Sequence, residues 1–152
     1  MIPERFALDT NLLAYTRDDS APGKQVRARE VFWRAIRSGR CLLSVQSLGE
    51  LYASLRRRGA VSVPAAIEAV RQMTSLFLVV GIVPDDAERA LRCAAGGTLS
   101  YWDGLMIATI ARAGCTSLLS EDMQDGAIHG GVTMRNPFAG EEMPAEIEAL
   151  LG

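Results

Sequence analysis

From Arg5 to Leu13 the chain reads Arg-Phe-Ala-Leu-Asp-Thr-Asn-Leu-Leu, an apolar run that stops abruptly at a carboxylate and two hydrogen-bonding side chains. The run has the length of a buried strand, and Leu12, Leu13 and Tyr15 resume an apolar pattern just beyond, so a helix is expected where the strand ends. Asp9 then sits at the carboxyl end of a strand. In open α/β sheets that edge is where ligands bind, because the loops there diverge and leave a crevice.

The same alternation continues along the chain. Asp18 to Gly23 reads as a turn, and the next segment puts Ala28, Val31, Phe32, Ala35 and Ile36 on one helical face opposite Arg27, Glu30, Arg34 and Arg37. Arg40 to Ser44 reads as a second strand, buried on both sides because its apolar residues do not alternate. A helix with Leu48, Leu51, Tyr52 and Leu55 as its core stripe follows, closing on Arg56, Arg57, Arg58 and Gly59. Pro64 opens a further helix carrying Ile67, Val70 and Met73. Phe77 to Val83 is a third strand, and Asp85 with Glu88 begins a helix bearing Ala87, Ala90, Leu91 and Ala94. Ser100 starts the most apolar helix, through Leu105, Met106, Ile107 and Ile110. Thr116 to Ser120 and Val132 to Arg135 complete the strands. The spacing predicts a three-layer α/β/α sandwich around a mostly parallel sheet, as one domain over 1–152 with its core at about 5–138 and a helical tail at 144–151.

Composition narrows the function classes. The chain has 152 residues, is 49% hydrophobic and carries a formal net charge of -2, with a pI near 5.4. Its charge is uneven: Arg17 to Arg71 holds eleven basic and five acidic residues, and Gln72 to Gly152 four and eleven. This asymmetry suits either a basic surface for a polyanion beside an acidic site for cations, or two solvated faces. Cys41, Cys93 and Cys115 are odd in number and set among apolar neighbours, which fits thiols in a reducing compartment. With His129 the sole histidine and no Cys-x-x-Cys pair, a structural zinc site has little support. No secretory signal is visible, and Leu76 to Val83 falls well short of the ~18 apolar residues that span a bilayer, so a soluble cytoplasmic protein is expected.

Four acids stand out: Asp9, Glu50, Asp103 and Asp122. Each has an ordinary explanation, since Asp9 can cap a helix, Glu50 and Asp103 lie three residues after Ser47 and Ser100, and Asp122 suits a turn. Glu50 also lies opposite its helix's apolar stripe and matters only if that face lines a cleft. Jointly they say more. Asp9 and Asp122 both follow apolar strands, so a parallel sheet delivers them to one edge. Carboxylates gathered there raise one another's pKa unless a cation neutralises them, and hard oxygen ligands select Mg²⁺ or Mn²⁺. Such ions activate water and stabilise a phosphodiester undergoing displacement.

The blocks Leu8-Asp9-Thr10-Asn11-Leu12-Leu13, Ser47 through Glu50-Leu51, Tyr101-Trp102-Asp103-Gly104-Leu105 and Leu118 through Gly126 resemble the motifs of PIN domains. The likeness is greatest to VapC-type toxins of toxin-antitoxin pairs, and runs in order from about Phe6 to Phe138. It implies a Mg²⁺- or Mn²⁺-dependent endoribonuclease, usually a homodimer, inhibited by a small VapB-like antitoxin. By position Asp9, Glu50, Asp103 and Asp122 correspond to the metal-binding, catalytic acids. Asn11 and Ser120 match polar positions that orient ligands or water, and Asp125 is an auxiliary acid or a turn residue before Gly126.

Other readings fit less well. A receiver domain pairs adjacent acids with a late lysine, whereas Lys24 is the only lysine and lies early; an aspartyl phosphatase wants an Asp where Asn11 stands. No Gly-rich phosphate loop is present, and nothing around His129 suggests a Ser-His-Asp hydrolase. The alternative from another class is a catalytically silent PIN module that binds RNA or a protein partner. Arg27, Arg34, Arg37, Arg56, Arg57 and Arg58 are candidate contacts to RNA phosphates or else a solvated face. Tyr101 and Trp102 are candidates for base stacking, but the spacing of Trp102 to Met106 and Ile110 predicts core. The tail stripe Ile147, Leu150 and Leu151, or the early helices, is expected to form the homodimer or antitoxin contact.

Overall fold

The computed structural model describes residues 2–57 and 61–152. β1 (Arg5–Leu8), β2 (Cys41–Ser44), β3 (Leu78–Val80), β4 (Cys115–Leu119), β5 (Ile128–His129) and β6 (Val132–Arg135) form one sheet in the order β3-β2-β1-β4-β6-β5. All neighbours pair in parallel except β5 with β6. The helices are α1 (Thr10–Tyr15), α2 (Pro22–Ser38), α3 (Val45–Arg57), α4 (Val63–Leu76), α5 (Pro84–Ala95), α6 (Tyr101–Arg112) and α7 (Ala145–Leu151).

Both sheet faces are covered, which is why the central strands carry unbroken apolar runs. Side chains alternate across a strand. Phe6, Leu8, Cys41, Leu43 and Leu119 join a core with α1 to α4 and α7, while Ala7, Leu42, Leu118 and Met134 join a second core with Met106, Ile107 and Ile110 of α6. β1 lies between β2 and β4, so a residue leaving its carboxyl end emerges mid-sheet, next to the chain leaving β4.

The tail departs from expectation. Ile147, Leu150 and Leu151 are 1%, 5% and 3% exposed and pack into the first core, so they are not free to form a dimer or antitoxin contact. An apolar stripe on a short terminal helix is equally compatible with a partner and with the chain's own core; burial of each side chain, at about 1.5–3 kcal/mol, favours the latter. Arg27 secures the segment ahead of α7 by donating to the carbonyls of Pro137 (2.7 Å) and Glu141 (2.6 Å), and Arg34 pairs with Glu148 at 2.7 Å.

The expected helix faces hold at Leu51, Leu55, Met73 and Ala90, which are buried, and depart at single positions. In α3 the buried residues are Ser47, Leu51 and Leu55, and Tyr52 is 36% exposed; in α4 they are Ala66, Ala69 and Met73, with Ile67 37% exposed. Leu91 of α5 is exposed, and the α5 start is held by Asp86, whose carboxylate accepts from the Val83 N–H at 3.0 Å. Asp86 also pairs with Arg112 of α6 at 2.9 Å. Trp102, expected in the core, is 62% exposed. The hairpin from β5 to β6 turns on Gly130 and Gly131, both with positive φ (57° and 82°), the two-residue turn that glycine permits. Among the described residues no helix is long and apolar enough to cross a membrane.

Candidate active site

Asp9 follows β1 directly, its N–H bonded to the Leu119 carbonyl at 2.9 Å, so the ends of β1 and β4 are fastened together. Its side chain is held from two sides. Oδ1 accepts from the Thr10 N–H at 2.7 Å, capping α1, and Oδ2 accepts from Ser120 Oγ at 2.7 Å. Ser120 is fully buried one residue after β4, and its Oγ accepts in turn from the Asp122 N–H at 3.2 Å. One hydroxyl thus ties the Asp9 carboxylate to the turn that presents Asp122.

Glu50 is brought in from α3. Its Oε2 accepts from Thr10 Oγ1 at 3.0 Å, and its Oε1 accepts from Gln46 Nε2, also at 3.0 Å. The same Gln46 amide donates to the Trp102 carbonyl at 3.0 Å, linking α3 to the first turn of α6. There the Ser100 hydroxyl accepts from the Asp103 N–H at 3.1 Å and fixes the helix start. The helix face carrying Glu50, opposite the apolar stripe, therefore does line a cleft.

The result is an open cleft of about 420 Å³ at the carboxyl edge of the sheet, lined by Asp9, Thr10, Asn11, Ala14, Glu50, Ser54, Arg57, Asp103, Met106 and Asp122. All four acids expected from the sequence face it. Burial raises the Asp9 carboxyl above its ordinary value; the bonds from Ser120 and Thr10 oppose the rise, and the Asp122 and Glu50 carboxylates add to it. Both polar atoms of the Asn11 amide are buried without a partner, an arrangement that leaves donor and acceptor capacity toward the cleft unspent.

Whether these residues fit a divalent ion can be tested on the same geometry. Among the described residues, no three acidic, histidine or cysteine side chains stand close enough together to enclose an ion directly. Mg²⁺ dehydrates reluctantly and is commonly held through one or two carboxylates and several waters, so it does not require a closed protein cage. A cleft with four carboxylates, one of them an aspartate whose proton is favoured by burial and further by Asp122 and Glu50, and an unsatisfied amide fits such an ion.

The remaining candidates separate. Asp125 does not line the cleft; its Oδ1 accepts from the Asn136 N–H at 2.9 Å and braces the loop before Gly126. Of the arginines, Arg57 lines the cleft. Arg27 and Arg34 are engaged with the tail, Arg56 donates to the Val61 carbonyl at 2.7 Å, and Arg37 is exposed on α2. Arg58 lies outside the described residues. Sequence reasoning missed Thr10 and Gln46, which orient Glu50. Thr10 adjoins Asp9, and Gln46 precedes Glu50 by one helical turn, the spacing at which side chains meet.

A mostly parallel sheet between helical layers, with acids at its carboxyl edge, defines a PIN-like α/β/α fold. The PIN domain family model matches residues 6–124, and the chain belongs to that family. The fold is similar to that of VapC20 from Mycobacterium tuberculosis, described as a Sarcin-Ricin loop cleaving toxin, with 20% identity and a TM-score of 0.61 over 77% of this chain and 89% of that one. It is also similar to VapBC2 from Rickettsia felis, solved bound to a DNA fragment from its promoter, with 12% identity and a TM-score of 0.62 over 86% of this chain and 97% of that one. No curated protein matches the sequence.

Proposed function

We propose that this protein is a Mg²⁺- or Mn²⁺-dependent endoribonuclease and the toxin of a toxin-antitoxin pair, acting in the cytoplasm. The observation that carries the reading is the convergence of Asp9, Glu50, Asp103 and Asp122 on one cleft with Arg57 at its wall. Membership of the PIN family and the likeness to VapC20 and VapBC2 support the reaction class and a VapB-like partner.

The four carboxylates would hold the ion between them, one or two directly and the others through bound waters, with Asp9 the most tightly positioned through Ser120 and Thr10. When bound, the ion supplies a Lewis-acidic centre that activates water and stabilises charge on the phosphodiester. The Asn11 amide is free to orient a water or a phosphate oxygen, and Arg57 offers its guanidinium to a neighbouring phosphate. Thr10 and Gln46 keep the Glu50 carboxylate aimed inward. We further propose a homodimer, with contacts on the helical surfaces and not through the tail.

The test is RNA cleavage by the native protein, Asp9→Asn and Asp103→Asn, each with and without Mg²⁺ or Mn²⁺. Loss of metal-dependent cleavage in both variants supports the proposal. Equal activity in all three preparations, or none with any RNA or metal, refutes it; the latter result favours a silent PIN module.

A further inference from the structure

Trp102 stands where the nuclease reading has no use for it. It belongs to the first turn of α6, a helix whose residues from Gly104 to Ile110 are all buried, yet it is itself 62% exposed. Tyr101 packs edge-to-face against its ring, with centroids 5.1 Å apart and planes at 77°. Its backbone is fixed as well. The Trp102 carbonyl accepts from Gln46 Nε2, the amide that also holds the Glu50 carboxylate, and Asp103, the next residue, lines the acidic cleft. A large flat ring is thus exposed on the helical turn that carries Asp103 into the cleft, braced by a second ring, while its backbone carbonyl shares the Gln46 donor with Glu50.

Left without a partner, this exposure wastes a favourable burial: four residues before Met106, the indole has the spacing to turn inward and does not. Consecutive Cα atoms lie about 3.8 Å apart, so Trp102 is within one nucleotide's reach of the carboxylate at Asp103. Exposed aromatic rings beside a phosphate-handling site have the chemistry to stack on an unstacked base, whose π-face the ring matches whatever the base. A duplex keeps its bases stacked on each other and offers no such face.

We propose that Trp102 is a base-stacking platform for the nucleotide beside the scissile phosphate. The inference rests on the nuclease reading above and deepens it. Stacking holds one base at the cleft rim while Arg57 engages a backbone phosphate.

The experiment measures binding of a short unpaired RNA, and of the same RNA annealed to its complement, in Ca²⁺, with native protein, Trp102→Ala and Trp102→Phe. A Trp33→Phe background leaves Trp102 as the sole indole reporter. The expected result is quenching of Trp102 emission by unpaired RNA and not by duplex. Trp102→Ala should bind unpaired RNA about 5- to 150-fold more weakly, the range that loss of one stacked base gives, and Trp102→Phe, which keeps a ring and preserves the fold, should retain most of the affinity. Unchanged binding by Trp102→Ala, equal quenching by duplex, or an effect of the substitution only on capture of a protein partner overturns the inference. If the native protein cleaves RNA and Trp102→Ala cleaves it with the same KM, this inference alone fails; if the native protein neither binds nor cleaves RNA, the nuclease reading fails with it.

Discussion

Replacing Ser120 by Ala removes one hydroxyl and separates the electrostatics of the site from its packing. Ser120 is fully buried, so no water is waiting to substitute for it, and its Oγ donates to Asp9 Oδ2 at 2.7 Å. A hydrogen bond to an ionised group contributes about 1.5–3 kcal/mol, against about 0.5–1.5 kcal/mol when both partners are neutral. Asp122 is exposed and its N–H can turn to water, so the second bond of Ser120 adds little. The metal-free variant should therefore lose about 1.5–3 kcal/mol when Asp9 is ionised and about 0.5–1.5 kcal/mol when Asp9 carries its proton. The sign follows from linkage. Burial already raises the Asp9 carboxyl above 3.8, so the folded chain keeps this proton to higher pH than the unfolded chain does, and folding stability falls as pH rises through that window. Without Ser120 the carboxyl rises further and the window widens. Urea unfolding of native and Ser120→Ala protein in EDTA, at neutral pH and at a pH below 3.8, measures both values. A loss of the same size at both pH values, or none at either, would refute the argument.

Asp86→Asn tests the buried pair with the opposite pH sense. Burial pushes Asp86 up, but Arg112, the Val83 N–H and Thr109 outweigh it and hold the carboxyl below 3.8, so the native advantage over Asp86→Asn should be complete at neutral pH and shrink as pH falls below that value, read by chemical denaturation. Ile147→Ala should destabilise by about 2–5 kcal/mol, the cost of truncating a buried aliphatic side chain, without changing oligomeric state in sedimentation, because that side chain is 1% exposed within the chain's own core. Arg57→Ala should weaken RNA binding and lower the slope of log affinity against log salt by about 1, whereas Arg27→Ala, whose partners are the carbonyls of Pro137, Glu141 and Glu142, should lower the melting temperature and leave that slope unchanged.

The mostly parallel sheet and the acids at its carboxyl edge were legible because β1 and β4 are apolar runs terminated by polar residues, and a parallel pair must deliver both ends to one side; the strand order was not, since no local pattern encodes it. Helix faces were less so. In α4 the choice between Ile67 and Ala66 depends on how near α3 approaches, and no periodicity encodes that distance. β5 escaped notice because two residues cannot display an alternation. The arginines divided for a similar reason: Arg27 and Arg34 find partners 110 and 114 residues away, and only the fold brings those together. Trp102 was expected inside on the strength of its spacing, but that pattern holds only from the second turn of α6, once the helix has entered the layer between β2 and α5.

Binding of Mn²⁺ at neutral pH, followed by titration calorimetry, tests most directly whether these carboxylates act as one cation site. The native protein and Asp125→Asn should bind the ion alike, while Asp9→Asn, Asp103→Asn and Asp122→Asn each bind it at least about tenfold more weakly, the equivalent of ~1.4 kcal/mol. Equal affinity in all five proteins, or no binding by the native chain, would contradict a shared cation in the cleft.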